Sequence, residues 1–135
     1  MPPLKKPKKD HTQAWYHKKA TELAKVIAKE RDHMTCQKCG NKGKDGYQIH
    51  GSHILSVGAH ATLSADPYNI KALCANCHSP NRRGSWHDDP APNIEWFKNK
   101  FPGRLEELYK RDRELLGKQN WKEVYMALKF SGYIN

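Results

Sequence analysis

Four cysteines and eight histidines are the side chains of this chain best suited to chemistry, and their spacing is strongly patterned. The cysteines fall in two C-x-x-C runs, Cys36-Gln37-Lys38-Cys39 and Cys74-Ala75-Asn76-Cys77. Such a run places two thiolates on one side of a tight knuckle, and two knuckles complete a tetrahedral Zn(II) site. Gly40, directly after the first knuckle, suits the positive φ that this turn often needs. Four cysteines could instead make two disulfides or a redox pair. The start MPPLKKPKKD lacks the apolar stretch of a signal peptide, which fits poorly with a disulfide framework, and a redox C-x-x-C does not usually come in duplicate. Structural zinc, bound as the middle third of the chain folds, is therefore expected.

Between the knuckles the chain reads His50-Gly51-Ser52-His53-Ile54, then Asp66-Pro67-Tyr68-Asn69-Ile70, then Leu73-Cys74-Ala75-Asn76-Cys77-His78. A His ending one strand, an Asn opening the next and a His after the second C-x-x-C closely resemble the HNH endonuclease family. The continuation Trp86-His87-Asp88-Asp89-Pro90, with Glu95-Trp96-Phe97 beyond it, is similar to small phage-encoded members, including the NinG type. The resemblance implies an α+β fold: a small zinc-stabilised ββα-metal core flanked by N- and C-terminal helices. It implies a catalytic divalent cation, Mg(II), Mn(II), Ni(II) or Zn(II), between the hairpin and the helix. On that pattern His53 is the general base, Asn69 ties down the long loop, and His78 is a ligand of the catalytic cation. The implied reaction is hydrolysis of DNA with low sequence specificity, leaving 5′-phosphate and 3′-hydroxyl ends. The implied setting is a phage protein in the host cytoplasm, with terminase or recombination proteins as partners.

One position departs from the pattern. Many family members carry Asp directly before the catalytic His, as a metal ligand, where this chain has Ser52. A hydroxyl is a far poorer ligand than a carboxylate, so Ser52, His50, Asp66 and His87 all stand as candidates to complete the set. With so few anionic ligands, Mg(II) would be held mainly by phosphate and water, while imidazole suits Mn(II), Ni(II) or Zn(II) better.

These residues need elements to hold them. Asp10 with Gln13 reads as an N-cap signal, and Tyr16, Ala20, Leu23 and Ile27 recur at helical spacing up to about Arg31. The outer face of that helix carries Lys18, Lys19, Lys25 and Lys29; Lys18 and Lys19, with Arg82 and Arg83 further on, are candidate phosphate contacts. A first strand is expected near Tyr47–Leu55, an irregular loop over Ser56–Pro67, a second strand over Asn69–Leu73, and a helix from the second knuckle toward Arg83. Beyond a Pro-rich break at Asp88–Pro92, a short helix spans Ile94–Phe101. Another follows from Leu105, Leu108, Tyr109, Leu115 and Leu116, with its stop at Gly117, and a last one opens at Asn120 with Glu123 in capping-box spacing. His11, His17 and His33 read as surface residues, and His60 as a loop residue close to substrate. Residues 1–9 read as a disordered basic arm, and 10–135 as one domain with its core over 33–90 and a helical part over 93–131.

With 135 residues, a formal charge of +10 and a mean hydropathy of −0.95, the chain is too short for more than one or two domains and too polar to cross a membrane. The charge points to a polyanionic partner, nucleic acid first. Two rival readings stay open: a non-catalytic zinc-knuckle module that binds nucleic acid, which Ser52 favours, and a structure-selective nuclease for branched DNA or RNA. Oligomeric state is not legible.

Overall fold

The computed structural model describes residues 10–115 and 119–130; the basic arm, the Leu116 and Gly117 helix stop and the last residues lie outside them. Helix α1 runs Gln13–Arg31, and its cap is Thr12, whose hydroxyl accepts the Trp15 N–H at 3.1 Å. The expected cap, Asp10, serves elsewhere: its carboxylate accepts from the Tyr16 hydroxyl and from Lys122 Nζ, which ties the helix start to the C-terminal helix. Thr12 wins because its oxygen sits three residues before a free N–H at the helix mouth. Ala20, Ala24 and Ala28 line the inner face of α1 and are fully buried. Without bulk on that face, the helix lies close against the sheet.

That sheet has two antiparallel strands, β1 (Ile49–His53) and β2 (Ile70–Cys74), in register from Ile49 opposite Cys74 to His53 opposite Ile70. Strand β1 is shorter than expected because its flanks bond elsewhere. Gln48 O accepts the Ala75 N–H of the second knuckle, and the Leu55 N–H goes to the Asn69 side chain. Asn69 itself closes a 3-10 turn, Pro67–Asn69, instead of opening β2. Among the described residues no third strand lies on the outer edge of β2, and side chains and the first knuckle take its polar groups. Arg31 and Arg104 donate to Ile70 O, Asp32 accepts the Ala72 N–H, and the Gln37 N–H reaches Ala72 O.

Helix α2 covers only Ala75–His78 and does not run on to Arg83. The reason is Pro80, which pushes the residue before it out of the helical region; Ser79 sits at φ −71°, ψ 148°. Arg82 and Arg83 are therefore exposed in a turn. Helix α3 spans Pro90–Lys100 and begins inside the expected break, since proline is well accommodated in a first helical turn. Helix α4 (Arg104–Glu114) and helix α5 (Trp121–Phe130) complete the chain, and Asn120 Oδ1 accepts the Glu123 N–H as its spacing predicts. Phe97, Leu63, Leu73, Leu105 and Leu108 form one core beneath the hairpin. A second joins α1 and Ile70 to Trp121, Val124, Tyr125 and Leu128 of α5. The architecture is α+β, with β1, β2 and α2 at its centre. None of the described helices is long and apolar enough to cross a membrane.

Candidate active site

The two knuckles converge. The four sulfurs of Cys36, Cys39, Cys74 and Cys77 lie within 4.8 Å of one another. A tetrahedral zinc–thiolate site has edges of about 3.8 Å, so this donor set fits one ion. Gly40 adopts φ +81°, as the knuckle requires, and Cys36 and Cys74 are buried. Burial opposes ionisation of Cys36, but backbone N–H groups of the knuckles offset it and hold the thiol down to about 7. Cys39 is at the surface.

Beside the knuckles is a cleft of about 400 Å³ whose wall includes Ser52, His53, Val57, His78, Trp86 and His87. His53 stands at the end of β1, and its Nε2 lies 2.8 Å from Ser64 O. A carbonyl can only accept, so Nε2 carries the proton and Nδ1 of the neutral ring is left as a base. Burial pulls the His53 pKa below its ordinary value; the Ser64 carbonyl opposes this, while Lys25 and Lys71 add to it. Behind the ring, Asn69 is fully buried. Its Oδ1 accepts the Leu55 N–H at 2.8 Å, and its Nδ2 donates to Leu55 O and Leu63 O at 3.1 and 3.3 Å. One amide thus pins both ends of the loop that supplies Ser64.

Across the cleft, His78 is the centre of three imidazoles. Its Nδ1 is 2.8 Å from His50 Nδ1, and its Nε2 is 3.2 Å from His87 Nε2. Burial, then the neighbouring His87 and His50, hold the His78 pKa down to about 4, so its ring is neutral at physiological pH. Two imidazole nitrogens on one ion at about 2.1 Å stand roughly 3.0–3.4 Å apart, and the His78–His87 spacing fits that. The cleft lining includes no carboxylate.

Ser52 is buried, and its hydroxyl faces Lys71 Nζ at 3.3 Å. Asp66 is placed away from the cleft, with its carboxylate on the Tyr68 N–H and on Arg111 at 2.9 Å. Arg82 donates to Asn76 Oδ1, and Arg83 is exposed in the same turn. Lys18 faces a groove between α1 and the loop, while Lys19 pairs with Glu22 at 3.6 Å and covers Trp15. His60 binds Asp112 on α4 at 2.7 Å and does not line the cleft.

Two residues at the site, Lys71 and Ser64, were not singled out from the sequence, and a third, His17, sits elsewhere than expected. Lys71 is fully buried in β2, its ammonium 3.3 Å from the Trp86 ring centre and 3.4 Å from His53 O. Burial, with Arg104 adding to it, pulls its pKa well down from the lysine range. Its sequence signal was a lysine inside an otherwise apolar strand. His17, expected at the surface, is half-buried and bonds Ser64 Oγ at 2.6 Å across the fold. Ser64 is buried and meets both His17 and His53; nothing local in the sequence marks it.

Comparison with known proteins agrees with this geometry. Residues 36–83 match the family described as HNH endonuclease. A "Probable HNH endonuclease" of Lactococcus phage SK1 is 30% identical over 69 residues, covering 48% of this chain and 71% of the phage protein. No solved structure matches the chain significantly.

Proposed function

The chain belongs to the HNH endonuclease family, and from that premise we propose that it hydrolyses DNA phosphodiester bonds with low sequence specificity. The observation that carries the reading is the orientation of His53: a neutral ring with Nε2 committed to Ser64 O and Nδ1 uncommitted, in one cleft with His78. In the proposed reaction His53 Nδ1 takes a proton from water as the water oxygen attacks phosphorus. The P–O3′ bond breaks, and the leaving oxygen gains a proton from solvent, which gives 5′-phosphate and 3′-hydroxyl ends. Asn69 keeps the loop, and with it the base, in fixed geometry. His78, through Nε2 and with His87 beside it, would hold the catalytic cation, and the four cysteines a structural zinc. That cation, when bound, neutralises the charge that builds up on the phosphate and the leaving oxygen.

Lys18, Arg82 and Arg83 are the proposed phosphate contacts; such contacts supply affinity without sequence information. Lys19, already paired with Glu22, is a weaker one. The further proposal is a role in phage DNA packaging or recombination, with terminase or recombination proteins as partners that co-purification would test; a phage relative supports the phage setting alone.

A second reading, a zinc module that binds nucleic acid without cutting it, is favoured by the absence of a carboxylate among the cleft residues and by the engagement of Ser52 with Lys71. Supercoiled plasmid incubated with purified protein in EDTA, Mg(II), Mn(II), Ni(II) or Zn(II), beside folded His53→Ala, separates the two. Cation-dependent cleavage that the variant lacks supports the nuclease. DNA binding without cleavage under every cation supports the module.

A further inference from the structure

Ser64 accepts from two imidazoles at once. Its hydroxyl donates to Ala61 O at 2.7 Å, so that hydrogen is committed and Oγ can only accept from His17 Nε2, 2.6 Å away. Its carbonyl accepts from His53 Nε2 at 2.8 Å. With both rings in place the residue is 1% exposed. His17 is held in turn by Trp121 of α5, stacked on it at 3.9 Å with 19° between the planes. Trp121 is fixed through its backbone N–H, which donates to Gln13 Oε1 on α1.

We propose that His17 is a positioning residue for His53, acting through Ser64, so that two helices outside the 36–83 segment set the orientation of the base. The inference rests on the reading of His53 as the general base. A histidine that merely packed on Trp121 would need no bond to Ser64. The bond it does make adds a second hold on Ser64 Oγ, beside the one to Ala61 O, and wedges the residue whose carbonyl is the ring partner of His53. Without that wedge Ser64 can shift, the carbonyl moves off Nε2, and His53 is free to place its proton on Nδ1. The ring would then present a donor to the attacking water, where catalysis needs an acceptor.

The full-length chain tests this in two ways. Nitrogen-15 NMR of the histidine rings at pH 7.5 reads the tautomer directly. Wild type is expected to show His53 protonated at Nε2 alone, and His17→Ala a mixture of tautomers. Under saturating DNA, His17→Ala and Ser64→Ala are each expected to lower kcat about tenfold with KM little changed. The double variant should be no worse than the poorer single one, because both cut the same link. His17→Gln, whose amide N–H reaches the position of Nε2, should restore both readouts.

An unchanged His53 tautomer in folded His17→Ala, or losses that simply add in the double variant, would overturn the proposal. Should His17→Ala fail to fold, Ser64→Ala, which keeps the Trp121 stack, is read in its place. If wild type leaves DNA uncut under every cation, the proposed function fails, and the tautomer measurement still decides whether His17 positions His53.

Discussion

At the scale of single residues, the proposed mechanism makes the protonation of His53 set the pH behaviour. Burial first of all holds its pKa below the ordinary histidine value. A base works only when neutral, so cleavage is expected to be on its plateau at pH 7 and to fall as pH drops through that lowered pKa; a rate profile at fixed cation checks this. His53→Ala should cost about 10²-fold or more in kcat with the fold retained. Asn69→Ala should destabilise the protein by about 1–3 kcal/mol in a urea titration, because it leaves the buried Leu55 N–H without an acceptor. A cleft lined by imidazoles and no carboxylate should favour Mn(II) or Ni(II) over Mg(II) in the plasmid assay, and a clear preference for Mg(II) would contradict it. His53, Asn69 and His78 could be picked out from the sequence because their order is tied to the knuckles. Ser64 could not, since its importance lies in what it touches across the fold, and Lys71 is marked only as a lysine inside an apolar strand.

At the scale of elements, α1 and β1 meet through a missing side chain. A Cβ added at Gly51 would lie 2.8 Å from both Cβ and Cγ of Lys25. Gly51→Ala should therefore push α1 off the sheet and cost about 1–3 kcal/mol, read as a lowered denaturation midpoint. The same contact seats Lys25 where its charge reaches His50, His53 and His78, and it lines a groove with Lys18 and Ser64. Lys25→Gln should weaken DNA binding alike on all sequences and reduce the salt slope of binding by about 1, measured in the folded His53→Ala background without added cation so that nothing is cut. Periodicity disclosed α1, and capping residues disclosed α5. The helix after the second knuckle stops short of Arg83 because Pro80 ends it, and α3 starts earlier than its apolar spacing indicates because its prolines fit a first turn.

At the scale of the whole molecule, the cysteine cluster ties the first knuckle to β2 and α2. Cys36→Ser, or removal of the metal by a strong chelator, should lower the melting temperature sharply and unfold the hairpin region first, which hydrogen exchange would localise. Retention of the native exchange pattern in metal-free protein would show that the apolar core alone suffices. The two cores share the sheet, so loosening the hairpin is expected to release the α1–α5 contact as well.

The sequence by itself determined the parts whose information is local: two knuckles whose spacing fits one ion, a basic chain suited to a polyanion, and the order His53, Asn69, His78 that marks the family. Tertiary structure alone decided which of the remaining histidines matter. His50 and His87 join His78, His60 is drawn away by Asp112, and His17 is turned inward to Ser64. The physical reason is that a hydrogen bond between residues 47 positions apart depends on how α1 lies on the sheet. That placement is set by three buried alanines and a glycine, whose role is to leave space rather than to supply a group.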